Sequence, residues 1–236
     1  MTIIADSLQV IQTNIIAAQR ASGRINQTLL LAVSKAQSAD KIRSAYFAGQ
    51  HAFGENYVQE AITKQAQLSD LAIEWHFIGP IQSNKTALIA QHFDWVHSVD
   101  RLKIALRLNE ARPQNAAPLN VCIQINSSDE TSKSGVDIDS LAILAKQINA
   151  MPRLKLRGIM AIPAPSNDLA VQHAQFKVVA DAFNMLKQNI EIDILSLDTL
   201  SIGMSDDYPA AIAEGATIVR IGSALFGART KLNETT

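Results

Sequence analysis

Cysteine is almost absent from the chain. The single residue, Cys122, lies in the apolar run Val121-Cys122-Ile123, so no internal disulfide staples the fold and core packing is its expected role. A charge excess of either sign is also missing: 21 basic against 22 acidic side chains leave a formal net charge of −1. Such a balance offers no electrostatic footprint for nucleic acid or an anionic membrane, and the basic residues are scattered, not striped. No apolar stretch approaches the roughly 20 residues that a membrane helix needs. The segment from Met1 to Gln12 carries an acid at Asp6 and no basic stretch, so it does not read as a secretory signal. A soluble, cytoplasmic protein is expected.

Several catalytic signatures are missing as well. His51, His76, His92, His97 and His173 show neither H-x-x-E-H nor H-E-x-x-H spacing, and one cysteine cannot build a thiolate site, so no metal is expected. The adjacent acids Asp206-Asp207 are accounted for by the dipole at a helix start. There is no G-x-S-x-G elbow for a serine hydrolase. No linker or low-complexity stretch divides the chain.

What is present is an alternation. Of the 236 residues, 47% are hydrophobic and 18% charged, enough for a sizeable core. An amphipathic segment from Ile3 to Arg20 opens the chain as a helix, with Ile4, Leu8, Ile11, Ile15 and Ile16 near one face. Strand patterns follow at Leu29–Val33, His51–Phe53, Glu74–Ile78, Trp95–Ser98, Leu119–Ile125, Leu154–Met160, Thr199–Ser201 and Thr217–Ile221. Helical patterns fill the gaps at Ala39–Ala48, Glu55–Ala66, Asn84–Gln91, Arg101–Asn109, Ile138–Ala150, Leu169–Lys187 and Asp206–Ala213. This pattern predicts an α/β fold, a single (β/α)8 TIM barrel with an extra N-terminal helix. One domain over 1–236 is expected, with a lead-in over 1–28 and a frayed polar tail over 230–236. The rival, a doubly wound open sheet, lacks its G-x-G-x-x-G after the first strand.

The first strand ends on a long cation, Leu29-Leu30-Leu31-Ala32-Val33-Ser34-Lys35. Either Lys35 is a solvated strand-end charge, or it is a partly desolvated amine on the face where barrels keep their chemistry, a candidate Schiff-base lysine. The loops after strands seven and eight are Gly203-Met204-Ser205 and Gly222-Ser223, each with a hydroxyl beside a glycine-freed backbone. Barrels that hold phosphate use those two loops; ordinary turn glycines with Ser205 as an N-cap are the alternative. Arg220 interrupts the apolar strand Thr217-Ile218-Val219-Arg220-Ile221. It reads as a structural ion pair or as a fixed cation facing a ligand's ring nitrogen or phosphate. The run from Gly79 to Thr86 has the spacing of a nucleotide P-loop, but Asn84 replaces the second glycine and Pro80 removes an amide. Nucleotide hydrolysis is not expected.

Six blocks carry a resemblance. They are Ala32–Lys35, Phe53–Glu60, Trp75–Lys85, Gly158–Pro163, Leu200–Asp207 and Arg220–Gly227, collinear from about Leu29 to Arg229. Together they resemble the YggS/PROSC family of pyridoxal-phosphate homeostasis proteins. The resemblance implies a barrel like the alanine racemase N-terminal domain, carrying pyridoxal 5′-phosphate as a Schiff base. Lys35 matches the family's cofactor lysine; Ser205, Gly222 and Ser223 match its phosphate-holding positions. Arg220 matches the arginine facing the pyridine nitrogen, and Asn56 lies in the block lining the cofactor. Ser223 departs from a more usual threonine but keeps the hydroxyl. The implied activity is carriage of the cofactor, supplied to apo enzymes by a monomer with no established turnover. A racemase-like amino-acid enzyme is the alternative. That reading needs a second base, and none of Tyr46, Tyr57 and Tyr208 stands in a segment resembling the racemase motif. An aldolase-like use of Lys35 on a sugar phosphate is a third reading.

Overall fold

The computed structural model describes residues 3–24, 27–127, 134–188 and 196–227. Its strands are β1 (Leu29–Val33), β2 (Ala52–Glu55), β3 (Glu74–Phe77), β4 (Trp95–Val99), β5 (Leu119–Gln124), β6 (Leu154–Met160), β7 (Thr199–Ser201) and β8 (Ile218–Ile221). They pair in chain order, all parallel, and β8 returns to β1 through Leu29↔Ile218, Leu31↔Arg220 and Ala32↔Ile221. The expected closed (β/α)8 barrel is therefore the fold.

Helices alternate with the strands: α1 (Ile3–Ala21), α2 (Ala39–Phe47), α3 (Val58–Gln67), α4 (Thr86–His92), α5 (Leu102–Ala111), α6 (Ile138–Asn149), α7 (Leu169–Lys187), α8 (Tyr208–Ala213) and the short α9 (Ser223–Phe226). Their starts have local causes. Ser38 caps α2 by accepting from the Lys41 N–H, Asp168 caps α7 by accepting from Ala170 and Val171, and Pro209 occupies the first turn of α8.

Most elements differ from expectation by one to three residues at a boundary, and two of the differences have a clear local cause. Helix α3 starts at Val58, not Glu55, because Gly54 and Glu55 continue β2 and pair with His76 and Phe77. The segment expected as a helix from Asn84 begins instead as a 3-10 turn, Ser83–Lys85, before α4. The tail expected over 230–236 lies outside the described residues.

The main core lies between sheet and helices. Strand alternation sends Leu30, Ala32, Phe53, Trp75, Phe77, Val96, Val121, Ile123, Leu200 and Val219 outward to it. The inward face is different. Leu31, Ala52 and Ile218 form one small apolar cluster; Trp95, Cys122 and Met160 form another. Alternation assigns buried polar residues to the same inward face, among them His76, His97, Ser201 and Arg220. Cys122 is fully buried, as expected for a packing residue, and burial pushes its thiol above the usual value.

A candidate cofactor site at the barrel mouth

Parallel barrels keep their chemistry at the carboxyl ends of the strands. All six residues singled out in the sequence fall at that end. Lys35 stands two residues beyond β1, Asn56 one beyond β2, Ser205 in the turn after β7, and Gly222 and Ser223 directly after β8, which itself carries Arg220. Since β1 lies between β2 and β8, Lys35 is flanked by the Asn56 loop and the Gly222-Ser223 loop.

The loop carrying Lys35 is held by a buried polar cluster. Lys64 of α3 donates to the Ser34 carbonyl at 2.7 Å, to Glu55 Oε1 at 2.7 Å and to Glu60 Oε1 at 2.5 Å. Ser34 Oγ also donates to Glu55 Oε1, at 2.6 Å, and Glu60 Oε1 accepts from the Ala36 N–H at 2.6 Å. Ala36 has φ 57°, a left-handed conformation that costs an ordinary residue about 1 kcal/mol. Lys35 is thus bracketed by two residues whose backbones are tied to α3. Burial pushes the Glu55 carboxyl above the ordinary carboxylate range, opposed by the charge of Lys64.

On both flanks of that loop the backbones approach closely. A Cβ on Gly222 would stand 3.1 Å from the Val33 carbonyl oxygen, and one on Gly79 only 2.3 Å from the Asn56 carbonyl oxygen. The turn after β7 passes Gly203 at φ 91° and is closed by Asp207, whose Oδ1 accepts from the Met204 N–H at 2.6 Å. Burial pushes the Asp207 carboxyl up, while Arg220 pulls it down.

Arg220 donates from Nη1 to the Ser201 carbonyl at 2.6 Å and to Ser201 Oγ at 2.9 Å, and from Nη2 to the Ala161 carbonyl at 3.0 Å. Burial pushes its guanidinium down to about 10, which leaves it a cation at neutral pH. The structural ion pair considered for it is replaced by these neutral acceptors.

A cavity of about 360 Å³ opens at the mouth, lined by Asn56, Ile78, Gln124, Asn126, Ile162, Pro163 and Met204 among others. Asn56 Oδ1 is buried there with no hydrogen-bond partner. Lys35, Arg220 and the serines lie on the β1 and β8 side and are not part of this lining; Ser205 instead borders a second crevice, against α1 and Tyr208. Tyr57 precedes α3 and is largely exposed, and Tyr46 of α2 accepts from the Ala72 N–H. A larger hollow, about 740 Å³, lies at the opposite end, around Thr28, His51 and Glu74. Among the described residues no group of three His, Cys, Asp or Glu side chains is arranged to hold a metal.

Sequence reasoning missed the Glu55–Glu60–Lys64 cluster and the inward histidines. Two signals existed: an acid at a strand end with a lysine nine residues on, and histidines inside otherwise apolar strands.

Comparison with known proteins agrees with this geometry. The family model for the alanine racemase N-terminal domain matches residues 7–230, which defines the class of barrel. Among curated proteins, the pyridoxal phosphate homeostasis protein of Pseudomonas aeruginosa is 55% identical over 97% of both chains. That of Escherichia coli K12 is 51% identical, over 97% of this chain and 98% of its own. PipY of Synechococcus elongatus, solved with pyridoxal phosphate bound, is 37% identical with a TM-score of 0.83, over 95% of this chain and all of that one. The chain belongs to the YggS/PROSC family of pyridoxal phosphate homeostasis proteins, within the alanine racemase N-terminal-domain class. No helix among the described residues is long and apolar enough to cross a membrane.

Proposed function

We propose that this chain binds pyridoxal 5′-phosphate as a Schiff base on Lys35 and serves the homeostasis of that cofactor as a carrier, without turnover. The observation that carries the reading is a lysine on a clamped loop at the mouth of the barrel, in a chain 55% identical to a pyridoxal phosphate homeostasis protein. The residues present fit the group. Lys35 supplies the amine that condenses with the aldehyde, releasing water. Ser205 and Ser223 offer hydroxyls not spent on other described residues, and Gly222, with no Cβ, lets the turn after β8 lie close against Val33 beside the Lys35 loop. Asn56 Oδ1 is a buried acceptor in want of a donor. Arg220 faces the ring nitrogen in this reading.

Arg220 also argues for a carrier. When bound, the cofactor acts as an electron sink whose strength depends on a protonated ring nitrogen. A guanidinium held by three bonds keeps its own proton, so it stabilises the ring without charging it. The working form is a monomer in the cytoplasm, and apo pyridoxal-phosphate enzymes are the recipients.

The test is an absorbance titration with pyridoxal phosphate. Wild type gains the band of a protein-bound Schiff base at one equivalent, and Lys35→Ala does not; the same band in both proteins refutes the assignment. Exchange of an amino acid's α-proton with deuterated solvent, faster than with free cofactor, would establish turnover instead.

A further inference from the structure

The inward face of the barrel holds a continuous line of hydrogen bonds. Glu74 Oε1 lies 2.8 Å from His76 Nε2, His76 Nδ1 lies 2.9 Å from His97 Nε2, and His97 Nδ1 lies 2.9 Å from Ser201 Oγ. Ser201 Oγ accepts from Arg220 Nη1 at 2.9 Å. The line starts at β3's first residue, whose side chain is 47% exposed beside the hollow at the barrel floor, and ends at the mouth.

Chemistry allows one direction along it. A carboxylate only accepts, so His76 Nε2 carries a proton and donates to Glu74. Both imidazoles are fully buried, and burial holds both below the usual histidine value, so both are neutral. His76 Nδ1 is then an acceptor, His97 Nε2–H donates to it, and His97 Nδ1 accepts from the Ser201 hydroxyl. The hydroxyl oxygen is thereby turned toward Arg220. Every group from Arg220 down to Glu74 donates to the next, and the chain ends on the one anion. His76 also stacks on Trp95 at 5.3 Å and 7°, and Arg157 lies over that indole at 4.4 Å, which fixes the ring planes.

We propose that Glu74, His76, His97 and Ser201 are a positioning relay that orients the Ser201 hydroxyl as an acceptor for Arg220, and so sets how Arg220 meets the cofactor ring. The function of the relay rests on the assignment of Arg220 to the ring nitrogen. Its existence does not.

The experiment has two arms. In ligand-free protein with 15N-labelled histidine, NMR reads the tautomers: His76 and His97 are both neutral and protonated at Nε2. Ser201→Ala moves the His97 ring resonances. A charged imidazole, or His97 resonances indifferent to Ser201→Ala, overturns the relay without reference to any cofactor. In the loaded protein, Ser201→Ala leaves Arg220 its two carbonyl partners, so the fold and borohydride labelling of Lys35 persist. Affinity for pyridoxal phosphate falls about tenfold, the low end for one hydrogen bond to a charged group, and the absorbance maximum shifts. Ser201→Thr restores both. Wild-type affinity and spectrum in Ser201→Ala refute coupling to the ring. Wild type in which borohydride labels no Lys35 sinks the site assignment instead, and the first arm still decides the relay.

Discussion

Replacing Lys64 by Met removes the centre of the cluster behind Lys35. The Lys64 side chain is 7% exposed, and that of its partner Glu55 is completely buried. Three acceptors each lose one donor: the Ser34 carbonyl, Glu55 Oε1 and Glu60 Oε1, the last keeping the Ala36 N–H. Glu55 Oε2 already lacks a partner, so the variant leaves a buried carboxylate with only the Ser34 hydroxyl. Breaking a buried pair on one side costs about 3–5 kcal/mol, against a total stability of about 5–15 kcal/mol. The loss depends on pH with a definite sign. Burial already raises the Glu55 carboxyl, and without Lys64 it rises further. A folded-state value above the unfolded one means stability is lost as pH rises, so the penalty is larger at pH 8 than at pH 5. Urea unfolding of ligand-free wild type and Lys64→Met at both pH values measures it. Adding Glu55→Gln recovers part of the loss, with a coupling of about 0.5–3 kcal/mol. A loss under about 1 kcal/mol at pH 8, with no dependence on pH, refutes the reasoning.

Other expectations concern separate parts of the molecule. Gly79→Ala drives a methyl to 2.3 Å from the Asn56 carbonyl oxygen, so the backbone must shift. It lowers stability by about 1–3 kcal/mol and weakens pyridoxal phosphate binding, read by thermal denaturation and titration. His97→Gln flattens the loss of stability on acidification by up to about 1.4 kcal/mol per pH unit below pH 6.5. The sign follows from burial: the unfolded chain takes up protons there and the folded imidazole does not, so stability falls with falling pH. Glu55 acts in the opposite sense and cancels between the two proteins. Asp168→Ala removes the cap of α7 and costs about 1 kcal/mol in urea, with no effect on cofactor binding.

The barrel was legible because parallel strands are buried on both faces and read as apolar runs between amphipathic helices. β1, β6, β7 and α7 have the boundaries the pattern predicts. The same property hid the interior. When both faces are buried, sequence does not tell the helix-facing residues from the inward ones, so His76 and His97 read as histidines without metal spacing. Glu55 was read as the start of a helix because a buried, paired acid at a strand end looks like an acid in a helix's first turn. Lys35 and Arg220 stood out because a cation at or inside an apolar strand needs an explanation. The acceptors that supply it for Arg220, Ser201 and the Ala161 carbonyl, lie 19 and 59 residues away.

The central claim, that Lys35 is the covalent anchor, is tested most directly by borohydride reduction of the pyridoxal-phosphate-loaded protein. Proteolysis and mass spectrometry then locate the modification. The account predicts one pyridoxyl group per chain, on the peptide containing Lys35 and absent from Lys35→Ala. A stoichiometric label on any other lysine contradicts it.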